Sequence, residues 1–229
     1  MSTSSSQDPL PSKFGVLVFP AFQALDAFGP LDAFNNLADK HKMDLAIIAK
    51  TLEPVSTKYR DPAMNPFGSN FGESIVPTHD FITAPPLDVL LIPGGLGTRA
   101  DEELESLYEF VRKTYPSLKY ILTVCTGSRI AARAGILDGK RATTNKNSFE
   151  KVKAVGPNVK WVSHARWVVD GNVWTSSGVS AGTDMALAWI EEVFGKEMAE
   201  EISRVMEYER HLDPNDDPFA DLYNLPREG

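Results

Sequence analysis

Four short runs of continuous apolar residues constrain this chain most: KFGVLVFP at 13–20, MDLAIIAK at 43–50, LDVLLIPGG at 87–95 and KYILTV at 119–124. Each has the length of a strand, and none alternates apolar with polar, so each reads as buried on both faces. Helical spacing separates them. GPLDAFNNLADKH (29–41) reads as a helix with Pro30 at its first position. DEELESLYEFVRKTY (101–115) is amphipathic, with acids early and bases late, as the helix macrodipole favours. A short helix after KYILTV stops at Gly135. Such alternation predicts a parallel sheet covered by helices on both faces, an α/β fold in a single domain over 13–229.

Other stretches read differently. Residues 51–80 are rich in Pro, Gly, Ser and Asn, and suit a hairpin or a covering loop. NVKWVSHARWVVDGNVWTSS (158–177) carries large apolar residues around Asp-Gly-Asn, which predicts an additional β-hairpin. A helix over 180–195 is expected to continue through 196–211. The acidic, Pro-punctuated tail from 212 is expected to be extended and packed through Phe219, Leu222 and Tyr223. Residues 1–12 read as a disordered polar tail.

At 229 residues, 42% hydrophobic and 24% charged, the chain has the balance of a soluble globular protein. Its one cysteine, Cys125, allows no internal disulfide and fits a reducing compartment. A net charge of −8 and only short basic clusters argue against a nucleic-acid partner. No apolar stretch approaches the roughly 18 residues of a membrane span. The N-terminus lacks the basic-then-apolar layout of a secretory signal, so a cytoplasmic location is expected. His41, His79, His164 and His211 show no metal-ligand spacing.

In open α/β sheets, ligands bind beyond the carboxyl ends of the strands. Three features fall there: Asp26 after the first strand, Gly94-Gly95 after the third, and Cys125 after the fourth. The last has the layout of a nucleophile elbow, strand–nucleophile–helix, with Thr123 and Gly127 as the small neighbours two residues away. The following helix aims N–H groups and a partial positive charge at the sulfur, which predicts a favoured thiolate. The N–H groups of Thr126 and Gly95 are candidates for an oxyanion hole. Plainer roles exist for each: Cys125 as a small core residue, Asp26 as a helix cap, Gly94-Gly95 as a turn. The convergence of strand, turn and helix on Cys125 favours the nucleophile.

FPAFQALDAFGPLDAF, PPLDVLLIPGG, YILTVCTGSRIAARAGILDGKRATTN and HARWVVDGNVWTSSGVSAGTDMALAWIEEVFG together resemble the ThiJ/PfpI superfamily, also described as class I glutamine amidotransferase-like. The likeness is strongest to its isocyanide (isonitrile) hydratases. It implies a flavodoxin-like three-layer sandwich, a homodimer, and neither cofactor nor metal. It further implies Cys125 as the nucleophile, Asp26 as the acid at its sulfur, Thr126 as the residue following the nucleophile, and Gly95, beside Gly94, as the glycine at the sulfur. One position departs: after RATT, where many members carry a histidine, stands Asn145. That argues against a Cys–His dyad. The implied function is a hydro-lyase acting on a small-molecule electrophile: Cys125 adds to an isocyano carbon and Asp26 handles protons, giving an N-substituted formamide. The alternatives are glyoxalase III or deglycase action on α-oxoaldehydes, and a cysteine redox sensor. A ligand-sensing half of a transcription regulator is disfavoured by the acidic tail.

Overall fold

The structure, a computed structural model, describes residues 9–59 and 61–227. Most of the tail expected to be disordered, residues 1–8, lies outside them. From Pro9 the chain is tethered: Lys119 Nζ donates to the Pro9 carbonyl (2.6 Å) and the Ser12 N–H to Asp88 (2.9 Å).

The elements follow in order. They are β1 (Lys13–Leu17), α1 (Ala24–Ala38), β2 (Asp44–Ala49), β3 (Val55–Ser56), β4 (Ser74–Ile75), β5 (His79–Asp80), β6 (Val89–Ile92), α2 (Asp101–Thr114) and β7 (Tyr120–Thr123). Then come α3 (Gly127–Arg133), β8 (Arg141–Ala142), α4 (Phe149–Lys153), β9 (Lys160–Trp161), β10 (Trp167–Asp170), β11 (Val173–Ser176), α5 (Ala181–Phe194), α6 (Lys196–Val205) and α7 (Pro218–Leu222). The main sheet has the strand order β10-β11-β7-β6-β1-β2-β5, parallel throughout except for β10. Helices α1, α5 and α6 pack together, as do α2 and α3. This is the flavodoxin-like α/β sandwich, with the β10–β11 hairpin extending the sheet beside β7. Among the described residues no helix is long and apolar enough to cross a membrane.

The topology creates the site. From β1 the chain proceeds outward to β2, while β6 and β7 lie on the other side of β1. Such a reversal opens a crevice at the carboxyl ends. The segments leaving β1, β6 and β7 carry Asp26, Gly94-Gly95 and Cys125, so three adjacent strands deliver them to one edge.

Helix α1 differs from the sequence expectation. It begins at Ala24, and Pro30 sits inside it rather than at its start. Pro30 has no N–H, so the Asp26 carbonyl four residues earlier receives no helical bond. Gly29 is there for contact: a Cβ would stand 2.6 Å from Thr183 Oγ1 on α5. The pair that reads as a helix start is instead a helix crossing. Further on, Gly195 (φ +97°) separates α5 from α6, and α6 ends at Val205, before the left-handed Glu207 (φ +49°). In the tail, the helical turn α7 replaces the expected extended chain. Ala220 is buried there, whereas Phe219, Leu222 and Tyr223 stay largely exposed. Residues 51–80 form the short β3–β4 antiparallel pair and the edge strand β5.

Trp189 centres the α1–α5 side of the core. It is fully buried, and Phe14, Phe34, Tyr120 and Phe194 surround it with ring centroids 5.4–5.8 Å away. Trp189→Ala should cost about 3–5 kcal/mol, read as a lowered midpoint in urea unfolding; an unchanged midpoint would contradict this packing.

Candidate active site

Cys125 occupies a tight turn between β7 and α3. The Val124 N–H still bonds the Ile92 carbonyl (3.0 Å), and the Gly127 N–H already turns back to the Val124 carbonyl (2.8 Å). Cys125 between them has φ +57°, a conformation that costs a residue with a side chain roughly 1–3 kcal/mol. Its carbonyl is clamped by the hydroxyls of Thr144 (3.0 Å) and Ser128 (3.2 Å). Gly127 is required because a Cβ would collide with the Ile92 carbonyl oxygen. The sequence pattern of the elbow therefore has a steric cause. Cys125 is also largely buried, 7% exposed, and borders the apolar core.

Asp26 lies in the first turn of α1 but caps nothing there; Gln23 holds the N-cap position. Its Oδ2 accepts the Gly94 N–H (2.9 Å), and its Oδ1 is buried without a hydrogen-bond partner. Gly94 permits the approach: a Cβ would stand 2.5 Å from the Thr126 nitrogen and 2.9 Å from Asp26 Oδ2.

Burial raises the Asp26 pKa from 3.8 to about 7, against the opposing pull of the Gly94 N–H and the Cys125 thiol. The Cys125 thiol is pushed up as well, first by burial and then by the charge of Asp26. The Thr126 N–H, the Thr126 hydroxyl and the Asn145 side chain act in the opposite direction. This corrects the favoured thiolate read from the sequence. Helix α3 is only seven residues long, and its field is smaller than the loss of water around the sulfur. The thiol, donating to the carboxylate, favours ionised Asp26, and the charge of Asp26 then disfavours the thiolate.

The remaining expected residues are close by, with different partners. The Gly95 N–H donates to Thr126 Oγ1 (3.0 Å), and the Gly95 carbonyl accepts from the hydroxyls of Thr98 (2.8 Å) and Thr126 (3.2 Å). The Gly95 N–H is therefore engaged and is not a free oxyanion donor. Gly95 instead serves close approach: at φ +129°, a Cβ would stand 2.5 Å from the Ala21 carbonyl oxygen. Besides the N–H and hydroxyl of Thr126, Asn145 donates to the sulfur. Its Oδ1 accepts the Ser148 N–H (3.2 Å), which leaves its NH2 for the sulfur. Sequence reasoning saw Asn145 only as a missing histidine. The signal lay in the position itself, one residue past Thr144, which clamps the Cys125 carbonyl. Among the described residues no cluster of three or more His, Cys, Asp or Glu side chains could hold a metal ion.

The elbow, the buried acid and the sheet order agree with a match of the DJ-1/PfpI family pattern to residues 12–192. The chain belongs to the DJ-1/PfpI family. Among its relatives, isonitrile hydratase from Pseudomonas putida is 34% identical over 197 residues, spanning 86% of this chain and 78% of that protein. A deglycase from Pyrococcus horikoshii is 32% identical over 117 residues, 50% of this chain and 65% of that one. The crystal structure of a ThiJ/PfpI family protein from Pseudomonas syringae matches with a TM-score of 0.74 at 30% identity, covering 96% of this chain and 84% of that one.

In this DJ-1/PfpI chain the buried acid has a consequence for stability. The folded state holds the Asp26 proton more tightly than the unfolded chain, so its stabilising effect is complete below pH 3.8 and is lost as pH rises towards 7. That loss totals about 4 kcal/mol. Asp26→Asn should therefore gain stability relative to wild type between pH 4 and pH 8, measured by urea unfolding at each pH. A difference that does not change with pH would contradict the buried, proton-holding carboxyl.

Proposed function

We propose that the protein hydrates isocyanides to N-substituted formamides, with Cys125 as nucleophile and Asp26 as the group that moves protons. The coupled Cys125–Asp26 pair carries this reading, and the 34% identity to an isonitrile hydratase supports it. An isocyano carbon must gain both a nucleophile and a proton. A thiol beside a carboxylate that shares its proton supplies both.

The thiol proton passes to Asp26 as the sulfur attacks the isocyano carbon, and Asp26 returns it to that carbon. The product is a thioimidate, with one C–S and one C–H bond formed. Water then adds to the thioimidate carbon as the Asp26 carboxylate takes its proton and delivers it to nitrogen. The tetrahedral adduct collapses: the hydroxyl proton goes to Asp26, the C–S bond breaks, and the sulfur recovers its proton. The sum is R–NC + H2O → R–NH–CHO. A pKa near 7 lets one carboxyl act as acid and base in turn. The Thr126 N–H and Asn145 stabilise the negative sulfur that appears twice. Asn145 has no basic nitrogen, so Asp26 carries every proton transfer.

The test is formamide production from an alkyl or aryl isocyanide by the purified protein. Cys125→Ala should abolish turnover, and Asp26→Asn should lower kcat/KM about 100-fold or more. In wild type, kcat/KM should rise with pH through about 7, because below it the pair holds two protons and the carboxylate is lost. Formamide formation by Cys125→Ala would overturn the proposal.

A further inference from the structure

Beside Asn145 the surface opens into a cavity of about 350 Å3. Leu25, Val179, Phe219 and Tyr223 supply its apolar wall, and Asn145, Lys146, Asn147, Ser177 and Ser180 its polar side. Two of these residues are joined to the reactive pair: Asn145 reaches the Cys125 sulfur, and Leu25 precedes Asp26 in α1. Leu25, Phe219 and Tyr223 keep 50%, 48% and 44% of their surface open. Large apolar side chains are thus held around an opening next to the sulfur's own donor.

The C-terminal side of this wall is built in. Asp217, just before α7, is nearly sealed from water, as is Lys146, whose Nζ lies 3.4 Å away. The Ser177 hydroxyl donates to the same Asp217 oxygen (2.7 Å), and the other oxygen accepts the Phe219 N–H (3.0 Å). Removing one member of such a buried pair is strongly destabilising, so the segment carrying Phe219 and Tyr223 is held in place. Further along, His164 Nε2 meets Asp221 (3.1 Å) and the Ser163 hydroxyl bonds the Pro226 carbonyl. Lys146 follows Asn145 directly. One loop therefore anchors the cavity wall and presents the sulfur's donor.

We propose that this cavity seats the N-substituent of the substrate, that Phe219 and Tyr223 determine specificity, and that the preferred substrates are isocyanides bearing a ring or a short branched apolar group. The proposal rests on the hydratase reading above. The R–N–C unit is linear, so with its carbon at the sulfur the substituent lies beyond the sulfur's immediate neighbours; Asn145, which meets the sulfur and lines the cavity, joins the two places. Ligand cavities span about 300–1,000 Å3, and this one lies at the small end, which suits one ring rather than a long chain. Lys146 is the charged residue of its lining, and it is committed to Asp217, Thr143 and the Ala165 carbonyl, so an ionic substituent gains no counter-charge from it.

The experiment compares benzyl and methyl isocyanide. Phe219→Ala should lower the benzyl-to-methyl ratio of kcat/KM at least tenfold by removing the ring's contact. Leu25→Trp should lower it by a similar factor by filling the cavity. A ratio unchanged in both variants overturns the proposal. A second readout separates it from the hydratase reading: alkylation of Cys125 by N-benzylmaleimide and by N-methylmaleimide, followed by intact mass. If wild type hydrates neither isocyanide but both variants lower the benzyl-to-methyl alkylation ratio, the hydratase reading fails and the substituent cavity stands. If the alkylation ratio does not move in either variant, the cavity assignment fails whatever the protein hydrates.

Discussion

Asp26 has no exposed surface, one of its oxygens has no hydrogen-bond partner, and the Cys125 thiol is beside it. A charge in that setting loses water and gains little in return. The carboxyl therefore keeps its proton up to about pH 7, and the thiol keeps its own well beyond its ordinary range. The site is not a preformed thiolate waiting for an electrophile. Under the proposed function, the thiol passes its proton to the Asp26 carboxylate as the sulfur bonds to carbon.

The fold bears the cost of holding this pair together. Cys125 is kept in the left-handed region by two hydroxyls on its carbonyl, and Gly127 leaves space for the Ile92 carbonyl that a side chain would fill. Gly94 lets α1, the segment after β6 and the start of α3 meet at one point. Away from the site, continuous apolar strands lie between helical layers and Trp189 is ringed by aromatic neighbours. The left-handed Cys125 and the buried Asp26 lie together at the edge where three adjacent strands end.

Much of this was legible in the chain. The apolar runs gave the parallel strands, the Asp-Gly-Asn turn gave the β10–β11 hairpin, and TVCTG gave the elbow, because each rests on local sterics or periodicity. The start of α1 did not follow, since Gly29-Pro30 has the look of a helix start and its actual role is contact with Thr183 across a helix crossing. The direction of the thiol's shift did not follow either. A helix N-terminus is visible in sequence, whereas desolvation depends on what the rest of the fold packs around the sulfur. The Gly95 N–H was a candidate oxyanion donor, but its engagement by Thr126 is a contact across 31 residues. The anchoring of the tail through Asp217 and Lys146, rather than through its large apolar side chains, is likewise a long-range pairing that no local pattern announces.

The central claim is that Asp26 remains a protonated acid close to neutrality. Difference infrared spectroscopy of wild type against Asp26→Asn reads this directly through the C=O stretch of a carboxylic acid. The account predicts a band present at pH 5 in wild type, absent in the variant, and disappearing with a midpoint at about pH 7. A wild-type spectrum with no such band at pH 5 would mean that Asp26 is an ordinary carboxylate, and that the shared-proton account of the site is wrong.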